Sequence, residues 1–171
     1  SGSDRLDLRV AFGEGWGNAL SAMITDDRYY RDSYGGAQSA GFAIDIEKNQ
    51  AVNSGWFNES SVQSILYDLY DADSDGADQS TLGLGPIYRT LVSESYRNTP
   101  WLTSIFSFVE ELKTQQPNSG IDALLTAQGI DGVGGAGAGE SHDGGIASVL
   151  PVYRRATVNG ASLSGLCAVI E

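Results

Sequence analysis

Hydrophobic positions recur at helical spacing through most of the first 130 residues, separated by short polar or glycine-rich breaks. Between Asp4 and Thr25, Leu6, Val10, Phe12, Trp16, Leu20, Met23 and Ile24 fall three and four apart, the period of a helix with one buried stripe. A second stripe, Val62, Ile65, Leu66, Leu69 and Tyr70, predicts a helix from Asn58 to Tyr70 with Asn58 as its N-cap. Leu84 to Ser95 reads as a third helix, with Pro86 in its first turn and Ile87, Tyr88, Leu91 and Val92 turned inward. Thr99 and Pro100 open a fourth, reaching Gln116 with the stripe Leu102, Ile105, Phe106, Val109 and Leu112, and Pro117 ends it. Ser119 is expected to cap a short last helix through Ala127, closed by Gln128-Gly129.

The breaks complete the outline. Asp26 to Gly36 reads as a loop, Gly41 to Glu47 as a short strand or extended segment, Asn53 to Trp56 as a turn, and Asp71 to Ser80 as an acidic loop. From Gly132 to Gly145 seven of the fourteen residues are glycine, which predicts a flexible segment outside the core. Val149 to Val158 and Ala161 to Ile170, joined by Asn159-Gly160, have the pattern of two strands about a type I′ turn. The expected fold class is mainly α, with a short β-hairpin at the C-terminus. Its parts are a helical region over 1–131, the glycine-rich segment 132–147, and a hairpin over 148–171 that would open a further domain.

One helix breaks its own rules. Gly13, Gly15 and Gly17 stand inside the first stripe, each costing roughly 1 kcal/mol relative to alanine, with the acidic Glu14 among them. Gly13 and Gly17 are about one turn apart and leave a notch for close approach of another backbone. A carboxylate at its edge is ion-paired, with an arginine such as Arg9 or Arg31, or exposed, or a ligand.

Composition narrows the chemistry. The chain has 171 residues, 41% hydrophobic and 19% charged, enough for a domain with a substantial core. A net charge of −12, with ten scattered lysines and arginines, argues against nucleic acid or an anionic membrane as partner. No apolar run approaches the roughly 20 residues that span a bilayer. Ser1-Gly2-Ser3 reads as a cloning remnant, with the natural N-terminus upstream. The single Cys167 excludes an internal disulfide, and the single His142 excludes a zinc site with two histidines built from this chain alone. His142, in GESHDGG, reads as a solvated loop residue. Asp71, Asp73, Asp75 and Gly76 match the first half of a calcium-binding loop, but Leu82 stands where a bidentate glutamate is required. Asp68, between Leu66 and Leu69, reads as a paired structural carboxylate.

The stretch AFGEGWGNALSAMITDDRYYRDS resembles the glutamate-bearing helix of the gluzincin metallopeptidases, the class that includes aminopeptidase N and thermolysin. Together with YDLYDADSDG and the late LPVYRR, it is similar to a group of secreted bacterial metallopeptidases. The resemblance implies that Glu14 is the third zinc ligand of a zincin-like catalytic domain. The histidine ligands and the general base would lie on a His-Glu-x-x-His helix that this chain lacks. By the same resemblance the whole protein hydrolyses peptide or protein substrates outside the cytoplasm, whether secreted, periplasmic or on the cell surface, and this portion is inactive alone. A tyrosine commonly stabilises the oxyanion in such enzymes; Tyr67, Tyr70 and Tyr88 are the candidates. A face made to receive the absent helix would also open the chain to self-association as a homodimer. The alternative is a non-enzymatic extracellular binding or adhesion module whose acidic loops hold calcium.

Overall fold

A computed structural model describes residues 5–48, 51–74 and 76–140, together with the backbone of 156–158 and 161–163. Helix α1, Leu8–Thr25, begins where the Asp7 carboxylate accepts a hydrogen bond from the Arg9 amide, and ends at Asp26 in a left-handed conformation. Its buried face differs from the predicted stripe: Ala11, Phe12, Gly15, Ala19, Ala22 and Met23 are inside, while Val10 and Ile24 are 44 % and 68 % exposed. Small residues win the inner face because the neighbouring helix lies so close. A Cβ on Gly15 would stand 2.7 Å from the Val62 Cβ and 2.9 Å from the Glu59 carbonyl oxygen. Of the three glycines, therefore, Gly15 makes the close approach inside this chain, whereas nothing lies within 4 Å of a Cβ placed on Gly13 or Gly17.

That neighbour is α2, Glu59–Asp68, capped by Asn58, whose side chain accepts the Ser60 amide at 2.8 Å. Gly15 meets Val62, the Asn18 amide donates to Gln63 Oε1 at 2.9 Å, and the Tyr70 hydroxyl donates to the Met23 carbonyl at 3.3 Å. Partners thus advance in the same direction along both helices, so α1 and α2 run parallel. Two parallel helices need a return connection between them. It contains β1, Tyr29–Tyr34, and β2, Ala40–Asp45, paired antiparallel from Tyr29↔Asp45 to Tyr34↔Ala40. The expected loop over Asp26 to Gly36 is thereby corrected: Arg31 and Asp32 conceal the strand because both faces of this ribbon are largely solvated. The hairpin attached to the helical body lies near the N-terminus rather than the C-terminus.

The remaining helices close the core. α3, Leu84–Val92, and α4, Glu94–Arg97, replace the single helix expected to Ser95, because Ser93 turns extended and its hydroxyl accepts the Tyr96 amide as a new N-cap. α5 spans Ile105–Gln115 and starts later than Pro100. Its N-cap is Ser104 rather than Thr99, in a reciprocal capping box with Ser107. α6, Ile121–Ala127, is preceded by Gly120 in a left-handed conformation, with no side-chain cap from Ser119. The buried centre gathers Trp56, Phe57, Ile65, Leu66, Phe108 and Leu112, and Phe12 packs on Phe108 with ring centroids 5.8 Å apart.

The glycine-rich segment is also corrected over its first part. Val133 bridges Ala138, and the Glu140 carboxylate accepts the Asp131 and Gly132 amides at 2.7 and 3.0 Å. Gly135 lies against Trp101 and Gly137 against Phe106, where a Cβ would approach the rings to within 2.1 and 2.7 Å. Here glycine permits close packing on the helical body. Two three-residue strands, β3 (Ala156–Val158) and β4 (Ala161–Leu163), pair antiparallel. The rest of the expected C-terminal hairpin, with His142 and Cys167, lies outside the described residues.

Candidate functional site

The parallel arrangement of α1 and α2 gives the pair two chemically distinct ends. Near its start, Glu14 on α1 and Glu59 in the first turn of α2 line a cleft of about 670 Å³, whose far wall is the β1–β2 ribbon with Tyr30, Asp32, Phe42 and Ile44. Gly17 and Asn18 complete the α1 side. Glu14 is exposed and its carboxyl shares a hydrogen bond with Glu59. This contact, reinforced by partial burial and by Glu59's charge, holds the Glu14 pKa above the ordinary carboxylate range. Arg9 pairs with Asp7 at 2.8 Å and Arg31 pairs with Asp27, so neither of these two serves as the partner of Glu14. Of the three possibilities for Glu14, the structure leaves an exposed carboxyl beside a second carboxyl, on the open side of a rigid helix.

Tyr30 faces the same cleft. Burial raises its pKa, followed by the charge and hydrogen bond of Asp32 and by the charges of Glu59 and Glu14. Tyr67 and Tyr70 instead line a depression at the other end of the helix pair, and Tyr88 is 55 % exposed on α3. Tyr30 is thus the tyrosine that shares a cavity with Glu14, a role the sequence did not single out.

The second depression, of about 380 Å³, is formed by Asp26 just beyond α1, Glu47 just beyond β2, and Tyr67, Tyr70, Asp71 and Asp73 at the end of α2, with Arg28 on its rim. A further hollow of about 290 Å³ adjoins it through Glu47 and is lined by Lys48, Asp68, Asp78 and Gln128. Asp71 is pushed up to about 8, first by burial, then by its hydrogen bond with Glu47 and the Glu47 charge, with Asp78 and Asp68 adding to it. Burial, with the Asp71 and Glu47 charges behind it, lifts Tyr67 to about 12. Asp73 is exposed, and Asp75 lies outside the described residues.

Both ends raise the question of metal. A catalytic zinc takes three protein ligands and keeps one position open. Among the described residues no three histidine, cysteine, aspartate or glutamate side chains gather to hold an ion. Glu14 fits one member of a zinc set, a carboxylate presented by a rigid helix beside open space, and the chain does not fit the whole set. No family model matches this chain, and neither a curated protein nor a solved structure is detectably similar to it. No helix among the described residues is long and apolar enough to cross a membrane.

The glycines drew notice to Glu14, and the metallopeptidase resemblance made it the candidate ligand. Glu59 carried no such signal, because a glutamate at a helix N-terminus is explained by the helix dipole alone. Tyr30 and Asp32 were hidden in the segment read as a loop.

Proposed function

We propose that this chain is part of a zinc-dependent metallopeptidase in which Glu14 is the carboxylate ligand. The two histidine ligands and the general base would be supplied by a helix outside this sequence. The observation that carries the reading is the open side of α1: Glu14 stands between Gly13 and Gly17, where a Cβ would have no described atom within 4 Å, with Glu59 rather than Arg9 or Arg31 beside it. Val10 and Ile24, exposed on the same helix, and Phe42 across the cleft offer apolar surface to an incoming helix. Glycine at 13 and 17 lets that helix come near enough for a short carboxylate to reach a shared metal.

When bound, zinc would polarise a peptide carbonyl and lower the pKa of its water. The residues of this chain have simpler tasks. Glu14 would release its proton to solvent and supply an anionic ligand, standing beside Glu59 in the cleft. Tyr30, with a pKa well above neutrality, stays protonated and can donate a hydrogen bond into the cleft.

Sequence upstream of Glu14 in the parent gene should encode His-Glu-x-x-His within a few tens of residues, and protein extended to include it should bind one zinc by elemental analysis. Glu14→Gln in that protein should abolish stoichiometric zinc and peptidase activity while leaving the circular dichroism spectrum intact. The present chain alone should carry no stoichiometric zinc. A parent gene without the histidine motif, or a Glu14→Gln protein that retains its zinc, overturns the proposal. In the alternative, a non-enzymatic binding module, the same substitution would alter stability alone.

A further inference from the structure

The β1–β2 ribbon treats the aromatic rings on its two faces differently. Side chains alternate across a strand, so the register places Tyr29 and Arg31 on one face and Tyr30, Asp32, Phe42 and Ile44 on the other. On the first face the chain supplies its own cations. Arg28 and Arg31 stand 5.5 and 5.4 Å from the centroid of the Tyr29 ring, while Arg28 pairs with Asp45 at 3.1 Å and Arg31 pairs with Asp27. Each guanidinium thus meets a ring and a carboxylate together, a combination that suits its flat, permanently charged fork.

The second face repeats the rings and the carboxylate without the cations. The Phe42 ring centroid lies 6.2 Å from that of Tyr30 and 6.5 Å from that of Tyr34, so three rings form a row along the ribbon. Phe42 is 45 % exposed and Tyr34 60 %, although rings of this size gain most when they are covered. Asp32 is exposed within the row, opposite Phe42 in the register. Glu14 and Glu59 stand on the far wall of the cleft, and none of the described residues lining it is a lysine or an arginine. A purely apolar occupant would strip water from Asp32 without replacing it. A small metal ion would leave the rings uncovered. A planar cation on an aliphatic stem satisfies both, because it stacks on the rings and forms paired hydrogen bonds to the carboxylate.

We infer that this face of the ribbon docks an arginine side chain of a peptide, stacked on Phe42 and Tyr34 and hydrogen-bonded to Asp32. The opposite face, where Arg31 lies over Tyr29 and pairs with Asp27, shows the same arrangement made within the chain. The role of such a peptide as substrate rests on the peptidase reading, whereas its binding belongs to residues of this chain and needs neither zinc nor the absent helix. The net charge of −12 attracts basic peptides in general. The ring row and Asp32 select arginine among them, because the ammonium of lysine is a point charge without the flat fork.

The chain as it stands, isotope-labelled and without zinc, is titrated with an end-capped Gly-Arg-Gly peptide at low salt and followed by amide NMR shifts. Shifts on β1 and β2 should saturate with a Kd below about 1 mM. Citrulline in place of arginine keeps the shape and loses the charge; it should weaken binding about tenfold or more, and lysine about threefold. Phe42→Ala and Asp32→Asn should each weaken binding about tenfold. Both side chains are exposed, so circular dichroism should be unchanged. Asp73→Asn removes the same charge at the other end of the helix pair and should change the affinity by less than about twofold. The docking face is overturned if nothing saturates by about 10 mM peptide, or if the citrulline or lysine peptide binds as tightly as the arginine one. It is also overturned if Asp73→Asn costs as much as Asp32→Asn. Dilution-dependent shifts of the same amides without peptide would mark an interface between copies of this chain instead. Zinc binding by the extended protein is read separately, so either result can fail while the other stands.

Discussion

The three glycines of α1 should respond to the same substitution with different signs. Gly13 and Gly17 lie inside an 18-residue helix, and a methyl group added at either meets nothing within 4 Å. Alanine there gains the helix propensity that glycine forgoes, about 1 kcal/mol per site, and reduces the entropy of the unfolded chain. For a domain of this size each kcal/mol moves Tm by about 2–4 °C, so Gly13→Ala/Gly17→Ala should melt about 4–8 °C above the parent. Gly15→Ala gains the same propensity but places its methyl 2.7 Å from Val62 and 2.9 Å from the Glu59 carbonyl. That carbonyl is backbone and cannot swing aside. Overpacking of this kind costs about 1–3 kcal/mol, leaving a net loss of up to about 2 kcal/mol and a lower Tm. Thermal melts followed by circular dichroism, with urea titrations to give the free energies, read all three variants. The decisive comparison is then made in protein extended upstream: there the double variant should lose its advantage and weaken zinc binding, because the methyl groups now stand where another helix packs. If the double variant destabilises the present chain, the notch is already filled and the reasoning fails. If it stabilises the extended protein equally, nothing packs there.

Asp71 makes stability depend on pH in an unusual direction. Its carboxyl is raised from 3.8 to about 8 in the folded state, so between those values the folded protein holds a proton that the unfolded chain has released. Its contribution to stability falls as pH rises through that window and is level above it. In EDTA, Tm should therefore decline from pH 5 to pH 8 in the parent and decline less in Asp71→Asn; parallel Tm–pH curves would refute the assignment. Ser104→Ala removes the reciprocal cap that starts α5 and should cost about 1 kcal/mol in urea denaturation, whereas Thr99→Ala, at the position first expected to cap that helix, should cost less.

Much of the helical framework was legible because apolar spacing survives tertiary packing. Val62, Ile65, Leu66 and Leu69 lie inside as their spacing requires, and Asn58 caps its helix. The failures have physical causes. The inner face of α1 is made of alanine and glycine, whose small side chains give a weak hydrophobic pattern, so the larger Val10 and Ile24 misplaced the stripe. The β1–β2 ribbon is solvated on most of both faces, so it lacks the alternation that marks a half-buried strand. In residues 132–139 glycine composition suggested freedom, yet contact with Trp101 and Phe106 makes small size the reason for Gly132, Gly135 and Gly137, while Gly134 and Gly139 take up left-handed turns.

Glu14 shows what spacing can and cannot identify. Three glycines around one carboxylate marked a place where backbones approach, and they do, but through Gly15 and toward α2. The remaining two glycines then acquire their meaning only by contrast: α1 already has its partner at Gly15, and a Cβ at Gly13 or Gly17 would meet no described atom within 4 Å. A helix whose sole need was to pack on α2 would gain stability from alanine at 13 and 17. Glycine at both positions, beside a carboxyl hydrogen-bonded to Glu59, is accounted for under the proposed function if that surface receives both a second helix and a positive ion. At the opposite end of the same helix pair, Asp71 is likewise a carboxyl hydrogen-bonded to another, Glu47. The net charge of −12 is therefore concentrated in part at two places on this helix pair, around Glu14 and Glu59 and around Glu47 and Asp71.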